Sequence, residues 1–394
     1  MSNQIDFSDI APFDDSQFQE KMALLVKEPG FEHAVRYVMP NVNYDDFVKE
    51  LMSISDKESF QTKIMWPFLE MLAKKTSAGI TIGGLENINA DMAYTFITNH
   101  RDIVLDASFL NLCFLRNGIH TSEVAIGNNL LIYEWITDLV KLNKSFIVKR
   151  NLRITQALEA ARHLSAYIHY AINHKHESVW IAQREGRAKD SNDLTQESLI
   201  KMLALDGGKS IASNIASVNL VPVSISYEYD PNDYLKAREF LLKRLDPDFK
   251  KSQRDDLFSM ETGMLSFKGH IHFQVGRCLT PELADLVDVT DKAEVVKRIC
   301  SMVDSSIHSG YRIYPINYIA YDLLEHTDAY VSNYTPEEKE GFVVYVERQL
   351  DKVDVPDVSE PDRAYMREMM YKMYANPLRN KLHTLAEGAG NSKI

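Results

Sequence analysis

The stretch YTFITNHRDIVLDASFLNLCFL, residues 94–115, joins a β-rich run to a helical pattern. Tyr94 to Thr98 is rich in the aromatic and β-branched residues that favour strands. From Ser108 to Leu115, apolar residues recur at helical spacing. His100 lies between the two, and such a position suits catalysis because backbone donors point into the same crevice. The stretch therefore predicts a strand–turn–helix unit with His100 at its turn.

Strands and helices alternate in the same way through the middle of the chain. The other predicted strands are residues 80–82, 145–148, 179–182, 220–227 and 270–275, and further helices are predicted over 130–142 and 155–173. This alternation is typical of an α/β core whose sheet is buried on both faces. We predict that core over residues 76–280, a helical N-terminal region over 1–75 and a helical C-terminal region over 281–394. The tail, residues 387–394, is expected to fray.

Charge and cysteine content narrow the classes of function. The 394 residues include 44 Lys and Arg against 56 Asp and Glu, a net charge of −12. This balance argues against a nucleic-acid partner, and an anionic substrate would need a local basic pocket. The three cysteines, Cys113, Cys278 and Cys300, fit no zinc pattern. Reduced thiols are the expected state, which is consistent with the cytoplasm.

The hydropathy pattern contains no segment that looks like a leader or a membrane span. Residues 1–15 carry acids and lack the basic region of a signal peptide. The most apolar candidate, residues 130–142, is short and interrupted by charged residues. We therefore expect a cytoplasmic protein, with peripheral contact at the inner face of the membrane left open.

Two carboxylates follow His100 closely, at Asp102 and Asp106. A carboxylate bound to one imidazole nitrogen fixes the tautomer, and the other nitrogen can then take a proton from a hydroxyl. Spacing alone does not separate this arrangement from a surface hydrogen-bond cluster. The segments further along the chain decide between the two.

Two of those segments place cations directly after predicted strands. Lys149 and Arg150 end one strand, where Arg offers a forked contact and Lys a point charge for a phosphate. After the next strand come Glu185, Gly186 and Arg187, and the glycine permits a tight turn or close approach of a ligand. A solvated basic patch is the alternative at both segments.

Taken in order, five segments resemble the conserved blocks of the glycerol-3-phosphate and lysophosphatidate acyltransferase superfamily. They are GLENI at 84–88, NHRD at 99–102, FIVKR at 146–150, EGR at 185–187 and VPVSISYE at 221–228. Each block is weak by itself, since short motifs match by chance. Five in the right order over about 145 residues make the resemblance strong.

The chain departs from the family pattern in two places. The family carries its Asp five residues after the His, and that position is Leu105 here. Asp106 lies one residue further on, and one extra loop residue can be taken up in a turn. We favour Asp106 as the partner of His100 and keep Asp102 as the alternative. The Glu-Gly-x-Arg block is also one residue shorter here.

The resemblance implies a mixed, largely parallel sheet and a direct transfer of a fatty acyl group from a thioester to a hydroxyl. His100 would be the general base, and Asp106 or Asp102 would orient it. The tetrahedral oxyanion would be held by backbone N–H groups near the His block. The donor would be acyl-CoA or an acyl-carrier protein, without a metal or other cofactor. The acceptor would be glycerol-3-phosphate or a lysophospholipid, as in phospholipid biosynthesis.

The resemblance also implies which side chains bind the substrate. Arg150 and Arg187, with Lys149 in support, would hold the acceptor phosphate. Glu185 and Gly186 would shape that pocket. Arg101, next to the histidine, completes the predicted substrate-binding set, which therefore consists of Arg101, Lys149, Arg150, Glu185, Gly186 and Arg187.

Two other functions stay in view. One is a lipid-binding protein of the same fold that has weak or no turnover, which the shifted Asp and the shortened Glu-Gly block would favour. The remote one is a metal-dependent hydrolase that uses His100 and Asp102 with later histidines. Those later histidines are His163, His169, His174 and His176.

Overall fold

A seven-stranded sheet forms the centre of the computed structural model, which describes residues 5–391 and the side chains of residues 5–387. The strands are β1 (Gly79–Gly83), β2 (Thr95–Thr98), β3 (Glu123–Gly127), β4 (Ser145–Val148), β5 (Val179–Ala182), β6 (Leu220–Tyr227) and β7 (His270–Val275). Their order across the sheet is β1-β7-β6-β2-β5-β3-β4.

Most of the strand pairs are parallel. β6, β2, β5, β3 and β4 form one continuous parallel set. β7 runs antiparallel to β6, and β1 pairs in parallel with β7 at the sheet edge. The predicted α/β class with a mixed, largely parallel sheet is therefore confirmed. The carboxyl ends of β2, β5 and β6 meet at one edge, where ligands bind in open α/β sheets.

Helices precede, surround and follow the sheet. The N-terminal helices are α1 (Asp15–Leu25), α2 (Pro29–Val38), α3 (Tyr44–Met52), α4 (Lys57–Phe60) and α5 (Trp66–Thr76), with a π-helical turn at Gln61–Met65 between the last two. Those between the strands are α6 (Leu105–Arg116), α7 (Glu134–Leu142), α8 (Ile154–Tyr170), α9 (Glu197–Leu203), α10 (Ile211–Ala216), α11 (Asp233–Leu245) and α12 (Gln253–Leu265).

The C-terminal region is helical as predicted. Its helices are α13 (Thr280–Leu283), α14 (Lys292–Gly310), α15 (Pro315–Glu325), α16 (Pro336–Leu350) and α17 (Glu360–Asn391). The fraying predicted for the tail concerns residues that lie mostly outside the described side chains. Among the described residues, no helix combines the length and apolarity needed to cross a bilayer.

The two faces of the sheet carry separate cores. Successive strand residues point to opposite faces, so Ile97 and Ile181 pack with α8, α9, α10 and α14. Phe96 and Trp180 pack with α5 and α6 on the other face. The N-terminal helices form a further cluster that includes Leu142 of α7. This arrangement places α5, α6 and α7 on one side of the sheet edge and α8 and α9 on the other.

One strand was not predicted, and several element boundaries differ from the sequence predictions. β3 was not predicted because its EVAIG sequence has only two β-branched residues between an acid and a glycine. The helix predicted from residue 130 begins at Glu134, since residues 128–130 form a 3₁₀ turn.

Candidate active site

His100 lies two residues after the end of β2 and is hydrogen-bonded to a carboxylate in the first turn of α6. Its Nδ1 lies 2.8 Å from Oδ2 of Asp106. The imidazole is 13% exposed, whereas Asp106 is fully buried. Because Nδ1 is occupied by Asp106, Nε2 is the ring nitrogen left for a substrate proton.

Asp106 also shapes the loop that carries the histidine. Its Oδ2 accepts the backbone N–H of Arg101 at 2.7 Å and that of Asp102 at 3.1 Å. A carboxylate in the first turn of a helix also interacts favourably with the helix dipole. The same two N–H groups are therefore already hydrogen-bonded to Asp106.

Asp102 has a different position from Asp106. Its Oδ1 accepts the backbone N–H groups of Val104 and Leu105 at 2.9 and 2.8 Å, which fixes the turn that leads into α6. Its Oδ2 accepts from Nδ2 of Asn232 at 3.1 Å. Burial, together with the nearby charge of Asp106, raises the pKa of Asp102. Asp102 supports the turn, and it is Asp106 that contacts the histidine.

A glycine of α12 packs against Asp102. A Cβ atom at Gly263 would lie 1.9 Å from Oδ2 of Asp102 and 2.9 Å from Nδ2 of Asn232. Any larger residue there would displace the carboxylate. Close approach of α12 to the His block therefore requires Gly263.

The strand before the histidine is held in place by Asn99. Its side-chain amide donates to the carbonyl of Ile225 at 3.0 Å and accepts the N–H of the same residue at 2.7 Å. Tyr227 continues β6 beyond this contact. Burial and the charges of Asp106 and Asp102 raise its pKa well above the ordinary value, so its hydroxyl stays protonated.

Arg101 does not lie where a substrate-binding residue is expected. Its side chain is buried, and its two terminal nitrogens donate to the two carboxylate oxygens of Asp193 at 2.8 and 2.5 Å. Asp193 also accepts the hydroxyl of Tyr311 at 2.5 Å. Arg101 was predicted to bind substrate. Its buried position disagrees with that prediction, because both terminal nitrogens already donate to the carboxylate of Asp193.

A cavity of about 2070 Å³ opens beside His100. Its wall is mostly apolar and also includes charged residues that follow β4 and β5. Trp180 lines the cavity, and its ring meets that of His100 edge-on, with the two centroids 5.8 Å apart. His100 thus lies on the wall of a largely apolar cavity.

Every other predicted substrate-binding residue lines this cavity. They are Lys149, Arg150, Glu185, Gly186 and Arg187. Lys149 is partly exposed and forms an ion pair with Asp9.

Arg150 and the Glu-Gly turn meet at the cavity rim. Arg150 has its Nε 3.8 Å from Oε1 of the exposed Glu185, and its backbone N–H donates to Asn128 at 2.8 Å. Gly186 has a φ of 70°, the left-handed conformation that glycine adopts at little cost. The tight turn predicted for the Glu-Gly block is therefore present.

Arg187 is the buried cation of the set. It is 7% exposed, and its Nη1 has no hydrogen-bond partner among the described residues. Lys189, also on the cavity wall, has its pKa lowered to about 7, mainly by burial and then by the charge of Arg187. Burying a cation is costly unless an anion pairs with it. The cavity therefore offers a cationic position suited to an anionic group.

The histidines required by the metal hypothesis do not meet. His163 contacts Asp9 at 2.9 Å, and His169 contacts the carbonyl of Leu203 at 3.0 Å. In the part of the chain that the structure describes, no group of three or more His, Cys, Asp or Glu side chains is placed to hold a metal ion.

The three cysteines, Cys113, Cys278 and Cys300, do not line the cavity. Burial raises the pKa of Cys113 to about 12 and that of Cys300 to about 11. Thiols with such pKa values are poor nucleophiles at neutral pH.

Several residues of the site were not predicted from the sequence. They are Trp180, Lys189, Asp193, Asn232 and Gly263. Asp193 lies 92 residues from Arg101 in the chain, and Asn232 lies 130 residues from Asp102. Pairs so distant in sequence meet only through the tertiary fold.

Comparisons with known proteins give distant structural likenesses alone. No family model matches the chain, and no curated protein sequence matches it. A crystal structure of the 1-acyl-sn-glycerophosphate (LPA) acyltransferase PlsC from Thermotoga maritima is similar with a TM-score of 0.35 and 12% identity, over 72% of this chain and 98% of that one. The Signal Recognition Particle 54 kDa protein from Aeropyrum pernix K1, in complex with GDP, gives a TM-score of 0.21 and 10% identity, over 94% and 93% of the two chains. Both TM-scores lie below 0.5, so neither likeness identifies an activity.

Proposed function

We propose that the protein is an O-acyltransferase that moves a fatty acyl group from an acyl thioester to a hydroxyl of glycerol-3-phosphate or a lysophospholipid. One observation carries the proposal. A His100–Asp106 pair borders a largely apolar cavity whose wall also contains the buried cation Arg187. A fatty chain and a phosphate are the two groups that such a cavity accommodates together.

The chemistry follows from the free nitrogen of the histidine. Nε2 of His100 takes the proton of the acceptor hydroxyl as the hydroxyl oxygen attacks the thioester carbon. The C–O ester bond forms, the C–S bond breaks, and the proton passes to the departing thiolate. Asp106 keeps the proton on Nδ1 and stabilises the imidazolium, and such general-base catalysis contributes about 10²–10⁴-fold.

The acceptor phosphate is assigned to the rim. Arg187 supplies a buried guanidinium, and Arg150 and Lys149 supply charge nearer to solvent. Glu185 orients Arg150 from 3.8 Å. Acyl-CoA or an acyl-carrier protein is the proposed donor, and the proposal includes no metal or other cofactor.

We also propose that the cavity mouth contacts a membrane surface. Ile154, at the start of α8, is 91% exposed, and Leu158 on the next turn is 50% exposed. Arg153 precedes them in the chain. Exposed apolar residues beside basic ones favour binding to anionic lipid surfaces.

An acceptor screen tests the proposed activity. The full-length protein is incubated with palmitoyl-CoA or palmitoyl-carrier protein and with glycerol-3-phosphate, lysophosphatidate or an amino-acid-based lysolipid. Free thiol is measured, and the product is identified by mass spectrometry. We expect one ester product for each thiol released. A protein that binds the donor and releases no thiol with any acceptor would be the lipid-binding alternative.

A further inference from the structure

The segment between β5 and α9, residues 183–196, has no regular secondary structure and is nevertheless largely buried. Several of its residues are at most 9% exposed: Arg187, Ala188, Ser191, Asp193 and Thr195. Irregular segments usually lie at the surface, because their backbone groups need water or other partners. Neighbouring elements must therefore supply partners to this segment.

Helix α14 supplies several of those partners. The carbonyl of Asp193 accepts a hydrogen bond from Nε2 of His308 at 2.6 Å. The backbone N–H and the hydroxyl of Thr195 both donate to Oδ1 of Asp304, at 2.8 and 2.6 Å. His308 and Asp304 belong to α14. The segment is thus held on the C-terminal helical region at two positions.

The carboxylate of Asp193 connects this segment to the loop of His100. Its two oxygens accept from the guanidinium of Arg101 at 2.8 and 2.5 Å. Oδ2 also accepts the hydroxyl of Tyr311, which directly follows α14, at 2.5 Å. Burial and the charge of Asp193 raise the pKa of Tyr311 well above its ordinary value, so the hydroxyl stays a donor. A forked Arg–carboxylate contact fixes orientation as well as distance.

Arg101 links Asp193 to the histidine because its main chain belongs to the His100 loop. The backbone N–H of Arg101 donates to Oδ2 of Asp106 at 2.7 Å. The same oxygen lies 2.8 Å from Nδ1 of His100. The side chain of Arg101 orients its own peptide group, and that peptide group holds the carboxylate that orients the imidazole.

Arg187 lies in the same buried segment as Asp193. The imidazole of His100 is proposed to take the proton of the acceptor, and the guanidinium of Arg187 is proposed to hold its phosphate. The two groups come from different strand ends, β2 and β5. Their relative position therefore depends on the contact that joins the two segments, which is the pair of Arg101 and Asp193.

We infer that Asp193 is a positioning residue for acyl transfer. Asp193 is fully buried and does not line the cavity, so it acts through Arg101 and not on the substrate. It fixes the Arg101 peptide against Asp106 and keeps the imidazole in place relative to Arg187. The kinetic part of this inference rests on the proposed function. It also gives α14 a role at the site, through its contacts with the segment.

The tautomer of His100 tests the inference without any turnover. Nitrogen NMR of histidine-labelled protein at alkaline pH, with His100→Ala for assignment, measures which ring nitrogen carries the proton. The wild type is expected to carry it on Nδ1, facing Asp106. Asp193→Asn keeps the size of the side chain and removes its charge, and it is expected to give a mixture of both tautomers. An unchanged tautomer in Asp193→Asn would overturn the inference.

A forked ion pair elsewhere provides the matched control. Arg116, the last residue of α6, donates to the two carboxylate oxygens of Glu70 at 2.8 and 2.7 Å. Glu70 does not line the cavity. Glu70→Gln makes the same carboxylate-to-amide change opposite an arginine, at the other end of the helix. It should leave the tautomer of His100 and all kinetic constants as in the wild type.

Steady-state kinetics measure the consequence for the proposed reaction. Asp193→Asn is expected to lower kcat at least about 10-fold and to raise the acceptor KM, with little change in the donor KM, because small displacements of catalytic groups are costly. A kcat within about two-fold of the wild type would overturn the inference. A wild type that releases no thiol with any acceptor would count against the proposed function, and the tautomer measurement would then decide the role of Asp193.

A double variant separates positioning from stability. Asp193→Asn leaves the charge of Arg101 buried without a partner, which destabilises the fold. Arg101→Gln combined with Asp193→Asn removes both charges, so its thermal unfolding should lie closer to that of the wild type. Its kcat should stay low, because the forked contact is still missing. Recovery of kcat together with stability would overturn the inference, and the double variant serves for both measurements if Asp193→Asn does not fold.

Discussion

The Nδ1 atom of His100 and Oδ2 of Asp106 lie 2.8 Å apart, across a loop with five intervening residues. The family resemblance implied four. In the loop that contains the additional residue, Asp102 accepts the N–H groups of Val104 and Leu105, and Asp106 accepts two further backbone N–H groups. The altered spacing was the reason to consider a lipid-binding protein without turnover. With this spacing, His100 still has a carboxylate partner.

The two acids of the loop are expected to behave differently when neutralised. Asp106→Asn should lower the rate of acyl transfer about 10²–10⁴-fold, because the histidine loses the charge that stabilises its protonated form. Asp102→Asn should mainly lower the free energy of unfolding, by about 1–3 kcal/mol, because it disturbs buried hydrogen bonds. Single-turnover rates and urea unfolding measure the two effects. A larger rate loss in Asp102→Asn than in Asp106→Asn would show that Asp106 is not the catalytic partner of His100.

Gly263→Ala is expected to lower kcat, although residue 263 is distant from His100 in the sequence. The new Cβ would lie 1.9 Å from Oδ2 of Asp102, so the carboxylate or α12 must move. We predict at least a 10-fold loss of kcat. Gly341→Ala is the control, since a Cβ there meets no atom within 4 Å. Wild-type activity in Gly263→Ala would show that the contact with α12 does not position the loop.

Arg187→Gln is expected to weaken acceptor binding. Removal of the buried guanidinium should raise the acceptor KM at least about 10-fold and leave the KM of the acyl donor almost unchanged. Arg348→Gln removes the same charge from an exposed position outside the cavity wall and serves as the control. Initial rates over a matrix of both substrate concentrations provide the test. If Arg187→Gln raised both KM values equally, the phosphate would not lie at this residue.

Asp233 is expected to make stability depend on pH. Burial raises its pKa to about 6, although Tyr345 and Tyr374 donate to it. The folded state therefore keeps a proton that the unfolded chain loses near pH 4. As a result, this group lowers the free energy of unfolding as pH rises from about 4 to 6, with no further change above.

The measurement is urea unfolding of the wild type and Asp233→Asn at pH 4, 5, 6 and 7. The amide in the variant does not titrate. The free energy of unfolding of the wild type, relative to that of Asp233→Asn, should therefore decrease as pH rises to 6 and then stay constant. A difference independent of pH would mean that Asp233 has an ordinary pKa in the folded protein.

The sheet was largely predictable from local sequence, and the site only in part. β4, β5, β6 and β7 were predicted with the observed bounds because their β-branched and aromatic runs end at clear turns. Asp106 was favoured over Asp102 only because one extra loop residue can be taken up in a turn, since the local sequence does not show which acid contacts the imidazole. A local sequence also could not show that Arg101 is buried against Asp193 while Arg187 is buried without a partner on Nη1.

The most direct test of the central claim is the acyl transfer rate of His100→Ala. The variant removes the imidazole and leaves Asp106 with its two backbone donors, so the fold and the binding of donor should persist. Donor binding is checked by calorimetry with a non-hydrolysable acyl-CoA analogue. The account predicts wild-type donor affinity and a fall in thiol release of at least about 100-fold. Thiol release within a few-fold of the wild-type rate would contradict it.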